Sequence, residues 1–333
     1  MPSPIPAPAP AGRRCRLSGT AATPGAFHHG ALLYRSVDEL AGCATAFARP
    51  ALEAGEPLLV VLAEDGAEAV RDALGPAAER AVFLDATEWY RSPGAVMSGF
   101  HRWLAEQEAA GRRAHALGEP PRPRAYAPEA REWRRFEAQV NLAFAGRAAR
   151  VLCAYDASAL PEEVTGWVRG THPVVAGERA GTNGGYRDPA EACRHVDAGP
   201  LEPRPPDARA RPFRGGVREP RAFLRAALSR LGAEGDALED LLLAAHELVA
   251  NVIRHGAGRG WVASWRAGTR LVVEVGDAGP GPDDPLLGCL PPAETDGGGW
   301  GVWLARQSCD VLEARSTPAG FVIRMHRDLD GAR

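Results

Sequence analysis

In the first half of the chain apolar residues gather into short β-rich runs, Ala31 to Tyr34, Leu58 to Leu62, Ala81 to Leu84 and Val151 to Tyr155. Between them the apolar spacing becomes that of helices near residues 37–54, 66–75, 93–110, 129–147 and 161–170. Strands alternating with helices predict a mostly parallel α/β sheet covered on both faces. The pattern breaks from about Asn183 to Pro220, where Pro200, Pro203, Pro205, Pro206 and Pro212 fall among Arg, Asp and Gly; this composition reads as a linker. Beyond it Leu238, Leu241, Leu242, Ala245, Leu248, Val249 and Val252 recur at helical spacing. Asp236 and Glu239 offer a capping pair for that helix, Gly256 a stop, and Leu271 to Gly276 a strand after it.

Composition narrows the function classes. A chain of 333 residues with 45% hydrophobic content can bury two cores. A net charge of −3 gives no electrostatic footprint for direct nucleic-acid binding. The chain has no lysine, which excludes a Walker A lysine, a lysine Schiff base and a lysine nucleophile. No run of about 18 apolar residues predicts a membrane span. Residues 1–24 are rich in Pro and Ala without the apolar core of a secretion signal, so a disordered tail and a cytoplasmic location are expected. The six cysteines lack any C-x-x-C spacing; neither a zinc site nor a disulfide framework is indicated, and reduced, mostly buried thiols are expected.

Chemistry concentrates on the helix of residues 236–256. Glu247 and Asn251 are four residues apart, so both project from one helix face. A carboxylate one turn from an amide can position a hydroxyl or water beside a metal. Asp277 ends a strand and opens Asp277-Ala278-Gly279-Pro280-Gly281, and Gly297 to Gly301 precede another apolar-periodic segment. Glycines let backbone N–H groups approach phosphates, and a helix start favours their charge.

These three segments, in this order, resemble the GHKL ATP-binding fold shared by DNA gyrase, heat-shock chaperones, mismatch-repair ATPases and histidine kinases. The match runs over residues 217–328, and its compact length looks most like the anti-sigma-factor serine kinases. The resemblance implies a Bergerat α/β sandwich whose antiparallel sheet includes Trp261 to Arg266, Leu271 to Gly276 and Phe321 to His326. It implies ATP and Mg2+ as cofactors, with Glu247 as general base toward a protein serine, Asn251 as the magnesium ligand and Asp277 as the adenine reader. Gly279, Gly281, Gly299 and Gly301 would be the hinges of a phosphate lid. The partners implied are a sigma factor, a STAS-type anti-sigma-factor antagonist, or both, and a homodimer is a further option. Two departures bear on activity. The lid, residues 282–299, carries Asp283, Asp284, Glu294 and Asp296 but no Arg, and Phe321 stands where the family has Thr. An acidic lid opposes phosphoryl transfer, which keeps a non-catalytic, ATP-dependent partner-binding switch as the alternative. Arg254 is the nearest arginine on the same helix. His195 sits beside the Pro-rich stretch, where the long coiled coil of a histidine kinase does not fit.

Residues 25–180 resemble the MEDS sensory domain, related to RecA-like folds. The matching residues are His28, Tyr34, Gly55-Glu56, Trp89, Pro93, Gly118-Glu119, Glu137 to Asn141, Cys153 to Asp156 and Thr171-His172-Pro173. The phosphate loop of RecA-like proteins is missing. His28, Glu119, Glu137, Asn141, Tyr155, Asp156 and His172 are candidates for a pocket holding an unidentified small ligand, since open α/β sheets bind ligands at strand ends. Their other reading is a structural hydrogen-bond network. Residues 181–216 then form the linker between the two domains.

Overall fold

The computed structural model describes residues 26–120, 127–176, 183–256, 258–292 and 299–329; the expected tail lies outside them. Along the chain run β1 (His28–Tyr34), α1 (Val37–Glu53), β2 (Leu58–Leu62), α2 (Glu64–Leu74), β3 (Ala81–Asp85), a single turn α3 (Ala86–Trp89) and α4 (Pro93–Ala109). Then come β4 (Ala114–Gly118), α5 (Ala127–Ala143), β5 (Ala149–Asp156), α6 (Glu162–Thr171), β6 (Val174–Ala176) and α7 (Pro189–Asp197). The remainder is β7 (Arg209–Arg214), α8 (Arg218–Arg230), α9 (Gly235–His255), β8 (Arg259–Ala267), β9 (Arg270–Asp277), α10 (Trp300–Gln307), β10 (Val311–Thr317) and β11 (Gly320–Asp328).

The chain forms two compact units. The first holds residues 1–86, 111–120 and 148–186, built on a six-stranded sheet ordered β3-β2-β4-β5-β1-β6 whose pairings are all parallel. Leu58–Leu62 is buried throughout, as befits a strand inside a parallel sheet. On one face Leu32, Tyr34, Leu152 and Ala154 pack with Phe47 and Leu52 of α1 and Val70 of α2; on the other Ala31, Cys153, Tyr155 and Val175 pack with Val164 and Val168 of α6. Ser36 caps α1 by accepting from the Glu39 N–H.

The second unit holds residues 87–110, 121–147 and 187–333. Its sheet is antiparallel, ordered β10-β11-β9-β8-β7. Leu241, Leu242, Leu248 and Val249 of α9, with Leu224 and Leu228 of α8, pack on Val262, Val273, Val275, Ile323 and Met325 of one sheet face. The opposite face carries Glu274, Glu313, Arg315, Arg324 and His326, all buried. Helix α5 packs along β10 on that side: Glu132 accepts from Arg315 at 3.0 Å and from Arg306 at 3.5 Å, and Arg131 donates to Glu313 at 3.1 Å. Asp197 of α7 bonds both Arg135 and Arg315 at 2.9 Å, while Arg324 donates to Glu274 at 2.7 Å and stacks on Trp265.

Three details depart from the pattern-based reading. The Pro-rich stretch contains α7 and β7, because Pro189 occupies the first turn behind the Asp188 cap and Pro212 lies on an edge strand, where each is tolerated. Asp236 and Glu239 do not cap α9: the helix begins at Gly235 behind Glu234, without a side-chain cap, and Glu239 pairs with Arg225 of α8 instead. Cys153, Cys193, Cys289 and Cys309 are buried thiols, whereas Cys43 is disulfide-bonded, against the expectation of thiols throughout.

Candidate functional site

Helix α9 presents Glu247 and Asn251 on a half-buried face, while Leu248, Val249 and Val252 turn into the core. That face is covered by the first turn of α10. A Cβ placed on Gly301 would lie 2.8 Å from Asn251 Nδ2 and 3.2 Å from Glu247 Cβ, so a side chain here would require the Asn251 amide to move aside. Gly299 caps α10 in the left-handed conformation, with φ 88°. The start of α10, where N–H groups lack helical partners, thus stands over the Glu247 and Asn251 pair.

Asp277 ends β9 and is 8% exposed. Its Oδ1 accepts from the Gly279 N–H at 2.6 Å. Its Oδ2 faces Gly256 at the end of α9, where an added Cβ would come within 3.2 Å of the carboxylate. Gly256 was legible in the sequence as a helix stop; its second role, admitting Asp277, appears only in three dimensions. Gly281 takes φ 74° and lies against the ring of Phe321, which pairs across the sheet with Asp277. Phe321 therefore sets an apolar ring beside Asp277, where the resemblance implies a hydroxyl.

Arg254, one turn beyond Asn251, donates to Asn251 Oδ1 at 3.3 Å and sits 3.9 Å from the Glu247 carboxylate. It is a cation that reaches the pair from outside the lid. Of the lid acids, Asp283 and Asp284 are exposed and Asp284 accepts from the Leu286 N–H; Glu294 and Asp296 lie outside the described residues. A carboxylate and an amide oxygen one turn apart make an oxygen donor pair suited to a hard cation such as Mg2+. Glycines at 279, 281, 299 and 301 give the close backbone approach that a triphosphate requires. The residues present fit ATP and magnesium.

In the first unit Tyr155 packs edge-on against His172, with ring centroids 5.7 Å apart, and His172 lies 4.2 Å from the ring of His29. Burial pushes His172 down to about 4, only partly offset by its hydrogen bond to the Val168 carbonyl. His28, Glu119 and Asp156 are placed elsewhere. His28 lines a small cleft of about 90 Å³ at the start of β1. Glu119 follows β4 and accepts from the Tyr34 hydroxyl at 2.5 Å, and Asp156 closes a turn by accepting from the Ser158 N–H and hydroxyl. Glu137 and Asn141 belong to α5 of the second unit, where the Asn141 amide donates to the Glu137 carbonyl at 3.1 Å. His29, which no sequence motif singles out, lies with the buried candidates Tyr155 and His172.

Among the described residues no helix is long and apolar enough to cross a membrane. Residues 28–173 match the family model of the MEthanogen/methylotroph, DcmR Sensory domain, MEDS, and residues 214–327 match that of the histidine kinase-like ATPase domain. No curated protein matches the chain.

Proposed function

From a chain made of an N-terminal MEDS domain followed by a histidine kinase-like ATPase domain, we propose an ATP-dependent regulator of anti-sigma type that phosphorylates a serine or threonine of a STAS-type antagonist. In this reading Asn251 holds magnesium, Asp277 reads adenine, and the glycines at 279, 281, 299 and 301 admit the phosphates. Glu247 takes the proton of the attacking hydroxyl. The observation that carries the reading is the Gly301 backbone lying directly over Glu247 and Asn251, with the start of α10 above them. Arg254 supports transfer over mere binding. Its guanidinium supplies, from the α9 side, the positive charge that the lid lacks.

The second reading is a switch without catalysis, in which ATP orders the surface that binds a sigma factor. It is favoured by the exposed Asp283 and Asp284, which add negative charge where transfer of a phosphoryl group calls for positive charge. Incubating the full chain with labelled ATP, magnesium and candidate antagonists separates the two. Phosphoserine or phosphothreonine on the antagonist, lost in Glu247→Gln, supports the kinase. ATP-dependent partner binding that persists in Glu247→Gln, with no phosphorylated residue in either case, supports the switch.

A further inference from the structure

His29, Cys153 and His172 form a cluster that the nucleotide site does not use and no conventional cysteine spacing announces. Each offers one ligand atom, and these atoms lie within 4.8 Å of one another. All three residues are buried, on the sheet face that packs against α6. His29 comes from β1, Cys153 from the neighbouring β5, and His172 from the residue that ends α6. The strand pairing fixes the first two, since β1 and β5 run parallel with His29 opposite Val151 and Ala31 opposite Cys153.

From this geometry we propose that the front domain holds a thiophilic transition metal, with zinc or copper as the class, on His29, Cys153 and His172. His29 Nε2 lies 3.4 Å from Cys153 Sγ. With Zn–N near 2.0 Å and Zn–S near 2.3 Å, a tetrahedral metal sets its N and S ligands about 3.5 Å apart, so this pair already stands at bonding separation. His172 donates its Nδ1–H to the Val168 carbonyl at 2.8 Å, which fixes the orientation of the ring. A ligand histidine whose other nitrogen donates to a backbone carbonyl is the usual outer support of a metal site. One thiolate with two neutral imidazoles is a donor set for zinc or copper rather than for magnesium or calcium. Binding replaces the Cys153 S–H bond with S–metal, and the proton goes to solvent. His29 also lines the small cleft at the start of β1, together with His28, Phe27 and Arg150. This proposal is independent of the nucleotide reading.

The test uses the full, tag-free chain, stripped with a chelator and kept reduced, with Co2+ as a coloured probe and Zn2+ as competitor. We expect one equivalent of Co2+ to give a thiolate-to-metal charge-transfer band with tetrahedral ligand-field bands, and one equivalent of Zn2+ to remove them. Cys153→Ala should abolish the charge-transfer band, and His29→Gln should weaken Co2+ affinity about tenfold or more. Because a core substitution can impair folding, the unaltered protein supplies a second readout. Zn2+ should slow alkylation of Cys153, followed by peptide mass spectrometry, while leaving Cys193 and Cys309 unchanged. Absence of a thiolate band in the unaltered chain, a band that survives in folded Cys153→Ala, or alkylation of Cys153 indifferent to Zn2+ would each overturn the proposal and leave the cluster a structural hydrogen-bond pair.

Discussion

Gly301 and Asn251 stand so close that a single methyl group on the glycine would meet the Asn251 amide at 2.8 Å. Gly301→Ala should therefore push α10 away from α9 while the hydrophobic face of α9 stays packed. A fall in Mg-ATP affinity of about tenfold or more is expected, by calorimetry, with an unchanged far-ultraviolet spectrum. Retained affinity would mean that nucleotide does not bind between these helices.

On the proposed reading, Asn251→Ala and Asp277→Ala each remove a distinct contact, one to magnesium and one to adenine. Both are expected to abolish measurable ATP binding. Glu247→Gln preserves shape and should keep affinity within a few-fold while lowering transfer by about 10². Arg254→Ala should lower transfer too, without the loss of binding seen at Asn251. Equal transfer in the unaltered chain and Arg254→Ala would remove this arginine from the mechanism.

The arginines on the buried sheet face depend on α5. Arg315 is 2% exposed and meets Glu132, so Glu132→Ala strands a buried charge and should cost about 3–5 kcal/mol, read by urea unfolding. Deleting residues 1–180 removes α5 altogether. The remaining fragment should be far less stable than the full chain, even though it contains every residue to which the proposed reading assigns the nucleotide; a fragment melting at the same temperature would count against a structural role for this helix.

Glu313 gives the acid response. Burial alone would raise its carboxyl, but the hydrogen bond from His326, with Arg315 and Arg131 nearby, outweighs that and holds it at about 2. Its folded value lies below the unfolded one, so the stabilisation is complete above about pH 4.5 and drains away as pH falls toward 2. In Glu313→Gln, stability near neutrality should drop and its fall between those pH values should flatten by an amount on the order of 3 kcal/mol. Parallel pH curves in the two proteins would contradict this.

The sequence by itself determined the local structure. Short apolar runs located β1, β2, β3 and β5, and helical spacing located the long helices, because a helix buries one stripe whose apolar residues recur with its own turn. Chemistry that lies within one element was legible too: Glu247 and Asn251 share a face because they are one turn apart, and Asp277 is followed at once by its glycines. Two strands passed unnoticed: β4 carries His115 and Gly118 among its five residues, so it shows no continuous apolar run, and β6 has only three residues. Tertiary structure alone decided what was brought together across long separations. Glu313, Arg315, Arg324 and His326 alternate with apolar residues as a solvated strand face would, yet they are buried because α5 and α7 bring Glu132, Arg131 and Asp197 to pair with them. The cluster of His29, Cys153 and His172 has the same origin. Its ligands lie 124 residues apart between the first two, so no spacing rule could announce it, and only the parallel pairing of β1 with β5 puts imidazole beside thiol.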